Sequence, residues 1–259
     1  MADYSQIDDS PLLSFLFYPR RYSTPSPKGA FDLSVPVGKD VSISCRFYGE
    51  EKSWPWILYF HGNGEVVSDY DEIAPFYHEK GLNVVVADYR GYGASGGSPN
   101  FTHLVNDAPL ILKGVAEEMS GRGFAPPGLW VMGRSLGSIS ALELSYHVPK
   151  ALQGLIIESG FASVTRLIKH LGLPADGRAL ESIEKERLAM IRNISLPALI
   201  IHGEVDSLVP LEEAKDLYTH LGTKEKELVV IPGADHNSVM FADLRTYMTA
   251  IQKFVEKTK

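Results

Sequence analysis

Cysteine is almost absent from the chain: among 259 residues only Cys45 carries a thiol. A single thiol cannot close an internal disulfide, and it has no cysteine companion for a metal site. Residues 41–47 around it alternate between apolar and polar types, which is typical of a strand and predicts a thiol packed inside the protein. The sequence thus argues against a disulfide scaffold and against a cysteine-based zinc site.

Long apolar runs and an excess of basic residues are also missing. No segment approaches the roughly 20 apolar residues of a membrane-spanning helix, and the acidic beginning of the chain does not resemble a signal peptide. The formal net charge is −7, and no basic stripe is visible, which argues against nucleic acid as a partner. We therefore expect a protein without a transmembrane segment, in a cytoplasmic location.

Apolar residues are plentiful, at 44% of the chain, which is enough for a full core. Two alternating runs at 31–37 and 41–48 flank a Gly-Lys-Asp turn and predict an antiparallel hairpin. From residue 56 onward, short apolar runs alternate with helical patterns, which predicts a mostly parallel sheet with helices on both faces. The predicted strands are 56–60, 83–87, 129–132, 155–157, 198–201 and 228–231, and the predicted helices are 69–80, 101–119, 136–147, 211–221 and 243–257.

Two stretches stand outside this alternation. Residues 1–30 contain four prolines and are predicted to be irregular. Residues 161–193 separate two predicted strands by an unusually long insertion, within which 164–171 and 179–191 have helical patterns. We expect a single domain over 1–259, with a short helical cap at about 161–193 above the carboxyl edge of the sheet.

A serine between two glycines marks the stretch 133–137, Gly-Arg-Ser-Leu-Gly. It lies between a predicted strand and a predicted helix, as a nucleophile elbow does, and this places Ser135 at the apex of a sharp turn. Small residues must flank such a turn because the backbone folds close to its neighbours. A second match at 93–97 contains Ser95, but Gly-Gly-Ser-Pro follows it and cannot begin a helix cleanly, so we interpret that match as a loop.

A serine hydroxyl needs a base within hydrogen-bonding reach, and the base needs an orienting acid. Ligands bind at the carboxyl ends of the strands in sheets of this kind, so partners are sought there. Asp206 follows the predicted strand 198–201 and is the candidate acid, with Glu158 as a competitor. His236 follows the last predicted strand and is the candidate base, whereas His61 and His202 precede glycines at strand ends and are interpreted as structural.

The third requirement is a pair of amides that stabilise an oxyanion. The loop 61–65, His-Gly-Asn-Gly-Glu, follows the first predicted parallel strand, and its glycines allow backbone amides to face the nucleophile. We assign one amide to Leu136 and the other to Asn63, with Gly64 as an alternative. A tight turn without any catalytic role remains the other interpretation of this loop. No metal or cofactor is expected.

Together the motifs at 61–64, 88–93, 133–137, 202–206 and 233–236 resemble the serine α/β-hydrolase superfamily, in its chain order Ser…Asp…His. The resemblance covers roughly residues 31–257 and is greatest for the small-lidded branch that includes the Bem46-like hydrolases and the acyl-protein depalmitoylases. It implies Ser135 as nucleophile, Asp206 as acid and His236 as base.

These features predict a serine hydrolase that cleaves a small-molecule carboxylic ester or thioester through an acyl-enzyme on Ser135. A peptidase or amidase with the same triad is one alternative. A non-catalytic ligand-binding receptor on the same scaffold is another. Five apolar residues are candidates to line the acyl pocket, although packing of the cap explains them equally well: Phe161, Leu167, Ile168, Leu171 and Met240.

Overall fold

The computed structural model describes residues 4–8, 13–172 and 177–259. In these residues eight strands form one sheet, in the order β1-β2-β4-β3-β5-β6-β7-β8. The β1–β2 and β2–β4 pairs are antiparallel and the other pairs are parallel. The strands are β1 Ala30–Gly38, β2 Val41–Tyr48, β3 Trp56–Phe60, β4 Asn83–Ala87, β5 Leu129–Arg134, β6 Gly154–Glu158, β7 Ala198–Gly203 and β8 Lys226–Ile231.

Alternation of side chains along the central strands divides the core into two layers. In β3, Trp56, Leu58 and Phe60 join the core on one face, while Ile57 and Tyr59 join the core on the other. All five are buried. A strand covered on both faces has no side that tolerates polar residues, which explains the continuous apolar runs in the sequence.

Helices cover both faces of the sheet, as predicted. Residues of α4, α5, α7 and α8 belong to the core on one face, and residues of α3 and α10 belong to the core on the other. The helices are α1 Ser5–Asp8, α2 Leu13–Leu16, α3 Ala74–His78, α4 Phe101–Gly121, α5 Ser138–His147, α6 Val164–His170, α7 Gly177–Arg192, α8 Leu211–His220, α9 Val239–Ala242 and α10 Leu244–Lys257.

The predicted helix 69–80 is wrong as a single element. The structure has a 3₁₀ turn, Val67–Tyr70, followed by the separate helix α3. Pro75 lies in the first turn of α3, and proline favours a helix start because it lacks the N–H that an interior position would need. The carboxylate of Asp69 accepts the N–H of Val66 at 3.0 Å and caps the short turn.

The lead-in and the cap differ from the predictions in smaller ways. Residues 1–30 are not wholly irregular, because α1 and α2 lie there. Helices α6 and α7 occupy the predicted cap between β6 and β7, and residues 173–176 of that cap lie outside the described residues. The division into one domain with a short cap stays a prediction. Among the helices in the described ranges, none has the length and apolarity that crossing a bilayer requires.

Candidate active site

The elbow at Ser135 depends on two close backbone contacts. Ser135 has φ +49°, a left-handed conformation that a non-glycine residue adopts only where its surroundings impose it. A Cβ on Gly137 would lie 2.0 Å from the carbonyl oxygen of Phe60, and a Cβ on Gly133 would lie 2.4 Å from that of Gly137. The sharp turn between β5 and α5 therefore requires glycine at both positions.

His236 lies within hydrogen-bonding distance of both Ser135 and Asp206, although 101 and 30 residues separate the two contacting pairs. The hydroxyl of Ser135 is 3.0 Å from Nε2 of His236. Nδ1 of His236 is 2.7 Å from Oδ2 of Asp206. All three residues are buried, at 9%, 6% and 5% exposure respectively. This geometry allows a hydroxyl proton to pass to the imidazole while the carboxylate holds the opposite ring nitrogen.

The carboxylate of Asp206 is fixed by the loop that follows β7. Its Oδ1 accepts the N–H of Leu208 at 3.0 Å and that of Val209 at 2.8 Å, which leaves Oδ2 for His236. Burial acts to raise the pKa of Asp206, but the hydrogen bond and charge of His236, with the Val209 amide, hold that pKa below its ordinary value. The carboxylate is therefore ionised at neutral pH, as an orienting acid requires.

Asn63 is anchored through its side chain. Its Oδ1 accepts the N–H of Tyr18 at 2.9 Å and the hydroxyl of Tyr92 at 2.6 Å, and its Nδ2 donates to the carbonyl of Leu16 at 2.6 Å. Asn63 and Leu136 line the same cavity as Ser135. These contacts hold the loop after β3 beside the elbow and leave the side chain of Asn63 engaged with the protein.

The cavity beside Ser135 has a volume of about 100 Å³ and mostly apolar walls. Phe161, Leu167, Ile168 and Leu171, from α6 and its flanks, line it as the sequence suggested. Further apolar walls come from residues that the sequence analysis did not name as pocket candidates: Leu16, Phe101, Val164, Leu208 and Val209. The expectation for Met240 is wrong, because Met240 packs on the opposite face of the sheet and lines a separate cavity of about 170 Å³.

The competing candidates have other partners. Ser95 is buried, and its hydroxyl oxygen accepts the N–H of Ser44 at 2.9 Å. Glu158 accepts the hydroxyls of Tyr59 at 3.0 Å and Tyr247 at 2.6 Å. Both contacts suit structural roles, and the interpretation of Ser95 as a loop residue agrees with the structure.

The two strand-end histidines are buried and bonded to neighbouring groups. His61 lies 2.8 Å from the carbonyl of Gly62 through Nδ1 and 3.1 Å from Asp88 through Nε2. His202 donates from Nε2 to the carbonyl of Val209 at 2.7 Å, and burial lowers its pKa. These contacts fit the structural roles expected for both.

Arg134 is a residue of the site that the sequence did not reveal. Its Nη2 donates to the carbonyl of His236 at 2.9 Å, and its Nη1 pairs with Glu65. Its Nε lies 3.2 Å from Oε1 of Glu158. The position between glycine and serine in the elbow motif carries no requirement of its own, so no signal in the spacing pointed to it.

In the part of the chain that the structure describes, no group of three or more His, Cys, Asp or Glu side chains could hold a metal ion.

A mostly parallel eight-stranded sheet with an antiparallel hairpin at one edge and a serine at a strand-to-helix elbow defines the α/β-hydrolase fold. The chain belongs to the α/β-hydrolase superfamily, to the family described as "Serine aminopeptidase, S33", whose model matches residues 53–181 and 177–241, and within the superfamily to the Bem46-like branch.

Relatives and solved structures agree with this placement. The chain is 29% identical to the uncharacterized protein Rv2307c of Mycobacterium tuberculosis, over 94% of this chain and 86% of the relative. It is 30% identical to the protein bem46 of Schizosaccharomyces pombe, over 74% of this chain and 64% of that protein. Its fold is similar to that of the Pyrococcus furiosus esterase Pf2001, with a TM-score of 0.74 and 19% identity over 93% of this chain and 98% of the esterase.

Proposed function

We propose that the protein is a serine hydrolase that cleaves carboxylic esters or thioesters through an acyl-enzyme on Ser135. The distance of 3.0 Å between the Ser135 hydroxyl and Nε2 of His236 is the observation that carries this proposal. His236 accepts the hydroxyl proton as Ser135 attacks the acyl carbonyl, and Asp206 stabilises the imidazolium that forms. His236 then protonates the leaving alcohol or thiol. In the second half of the reaction His236 takes a proton from water, the water attacks the acyl-enzyme, and the proton passes to Ser135 as the acyl group is released.

The developing oxyanion is assigned to the backbone amides of Asn63 and Leu136. Leu136 lies in the first turn after Ser135, where a helical amide has no preceding carbonyl to bond. Asn63 lies in the loop after β3 and lines the cavity with Ser135. Fixed amides in a buried site stabilise a negative charge more than water does, because they need no reorganisation during the reaction.

The size of the apolar cavity favours a short acyl chain. An apolar cavity of about 150 Å³ takes a benzene molecule. The cavity beside Ser135 measures about 100 Å³, and an acyl chain of about four carbons fits that space on the same scale. The substrate is thus a small acyl ester or thioester rather than a nucleic acid.

The cytoplasmic location stays a prediction from the sequence.

An acyl-chain series tests the proposal directly. The p-nitrophenyl esters from acetate to decanoate, and the matching thioesters, are compared for the wild type and Ser135→Ala. We expect wild-type kcat/KM to be greatest near butyrate and Ser135→Ala to lose on the order of a thousandfold or more in kcat. A Ser135→Ala protein that keeps most of its turnover excludes the mechanism.

Peptide or amide hydrolysis is the second candidate, favoured by the description of the family as serine aminopeptidases. The same triad serves amides, so the distinction lies in the leaving group. Amino-acid p-nitroanilides measured beside the ester series separate the two activities. Turnover of anilides without turnover of esters assigns the protein to the peptidases. A folded wild type that neither turns over substrate nor reacts with a fluorophosphonate probe supports the third alternative, a non-catalytic ligand-binding receptor.

A further inference from the structure

One side chain joins three segments around the proposed nucleophile. Arg134 ends β5 and directly precedes Ser135, and its side chain is 12% exposed. Nη2 donates to the backbone carbonyl of His236 at 2.9 Å and lies 3.2 Å from Oδ1 of Asn237. The residue before the nucleophile therefore holds the main chain of the base loop.

The same guanidinium reaches the loop proposed to stabilise the oxyanion. Nη1 of Arg134 pairs with Oε1 of Glu65. The other oxygen of Glu65, Oε2, accepts the backbone N–H of Gly62 at 2.8 Å. Since Gly62 precedes Asn63, Glu65 fixes the peptide next to the proposed oxyanion amide. A Cβ at position 62 would lie 2.4 Å from Nη1 of Arg134, so a larger residue there would displace the guanidinium.

Two carboxylates hold the guanidinium in place. Oε1 of Glu158 lies 3.2 Å from Nε of Arg134, and Oε2 is engaged with two tyrosine hydroxyls. Burial acts to raise the pKa of Glu65, but the charge of Arg134 is among the groups that hold that pKa below its ordinary value. Both groups of the Arg134–Glu65 pair are thus charged at neutral pH, and the pair persists over the pH range in which a histidine base works.

Arginine suits this position in a way that lysine cannot. A guanidinium presents donors in a rigid planar fork, so Nε, Nη1 and Nη2 contact Glu158, Glu65 and the base loop at the same time. An ammonium is a single point on a flexible stem and can hold only part of this set. The charge alone therefore does not reproduce the contacts.

We propose that Arg134 is a positioning residue, which sets the loops of His236 and Asn63 at their working distances from Ser135. This role rests on the proposed function and deepens it. Arg134 does not line the cavity beside Ser135; it acts through the His236 carbonyl and through Glu65. An arginine that served the fold alone would change stability and leave the turnover of the folded enzyme unaltered.

The test uses Arg134→Lys, Glu65→Gln and the double variant on p-nitrophenyl butyrate. A displacement of about 1 Å in a catalytic group costs about a hundredfold in rate, so we expect kcat of Arg134→Lys to fall by about that factor. KM should stay within about threefold, because the walls of the cavity are unchanged. The rate of fluorophosphonate labelling should fall with kcat, since it needs the same base and amides.

Glu65→Gln keeps an acceptor for Gly62 but loses the ion pair, and we expect about a tenfold loss in kcat. The double variant should lose less than the product of the two single losses, because both act through one chain of contacts. The matched control is Arg46→Lys. Arg46 is also buried and pairs with Asp32 and Asp71. The Arg46→Lys substitution should lower the melting temperature and leave kcat unchanged.

The outcomes separate the two proposals. A folded Arg134→Lys enzyme whose kcat stays within about threefold of wild type overturns the positioning role. Where Arg134→Lys does not fold, Glu65→Gln decides: a loss of about tenfold in kcat supports the role and an unchanged kcat overturns it. Ser135→Ala is measured in parallel. If Ser135→Ala retains its activity, the proposed function itself is overturned. If Ser135→Ala loses its activity but the kcat of Arg134→Lys is unchanged, only the positioning role is overturned.

Discussion

The two oxygens of the Asp206 carboxylate face different partners: Oδ2 lies 2.7 Å from Nδ1 of His236, and Oδ1 accepts two backbone amides of its own loop. One oxygen is thus held by the main chain of its own loop, and the other faces the imidazole of His236. Because the amides already fix the carboxylate, the histidine does not have to position it.

This division makes Asp206→Asn a selective change. Oδ1 of asparagine can still accept the amides of Leu208 and Val209, while an NH₂ group replaces the oxygen facing His236 and favours the wrong imidazole tautomer. We expect kcat to fall by about ten-thousandfold with little change in melting temperature. A variant that retains more than about a tenth of the wild-type kcat contradicts the assignment of Asp206 as the acid.

The pH dependence of activity follows from the same carboxylate. The pKa of Asp206 lies below its ordinary value, so Asp206 stays ionised as the pH falls through the range in which a histidine gains its proton. We therefore expect Asp206 to add no protonation step of its own to the decline of ester kcat/KM toward acid pH. A second acidic step between pH 5 and pH 7 would show that Asp206 also titrates there.

The elbow predicts a strict requirement at Gly137. A Cβ at this position would lie 2.0 Å from the carbonyl oxygen of Phe60, and two backbone segments cannot separate without disturbing the sheet. We expect Gly137→Ala to cost about 3 kcal/mol or more in the free energy of unfolding, measured with urea. The control is Gly121→Ala at the end of α4, where nothing lies within 4 Å of the added methyl; it should be neutral or gain up to about 1 kcal/mol.

The cavity predicts that its wall sets the acyl-chain preference. Leu171 lines the cavity and is 36% exposed, so a larger side chain can enter without disturbing the core. We expect Leu171→Trp to lower kcat/KM for octanoate about tenfold and to leave acetate within about threefold. Leu110→Trp is the control, because Leu110 is 42% exposed on α4 and does not line the cavity. An equal loss on every chain length would contradict the role of the cavity.

Glu143 predicts a pH effect on stability that is independent of catalysis. Burial raises the pKa of Glu143, although the positive charge of Arg187 opposes the rise. A carboxyl whose pKa is higher in the folded state than in the unfolded chain favours folding at acid pH, and this contribution is lost as the pH rises through the folded pKa. Oε2 of Glu143 lies 3.2 Å from Nε2 of His147, but the raised pKa shows that burial outweighs such contacts, so ionised Glu143 destabilises the protein at pH 7.

Glu143→Gln removes this charge. We expect its melting temperature to exceed that of the wild type by about 2–4 °C at pH 7.5, the shift that about 1 kcal/mol produces in a domain of this size. The difference should vanish near pH 4, where both side chains are neutral. The exposed Glu117 on α4 provides the control, because Glu117→Gln should alter the melting temperature at neither pH. A Glu143→Gln protein that is less stable at pH 7.5 contradicts the argument.

The sequence alone determined the sheet and the position of the elbow. Apolar runs too short for buried helices predicted strands covered on both faces, and β3 and β4 lie where those runs predicted them. The glycines at 133 and 137 predicted a turn that only glycine allows. Such features are local, because each depends on spacing within a few residues.

Contacts between distant segments were decided by the tertiary structure. The sequence predicted one helix over 69–80, which the structure divides, and it placed Met240 at a cavity on the wrong face of the sheet. The link from Arg134 to Glu65 and to the carbonyl of His236 spans 69 and 102 residues. No local spacing encodes such a link, because it forms only when the ends of β3 and β5 and the loop after β8 meet at one edge of the folded sheet.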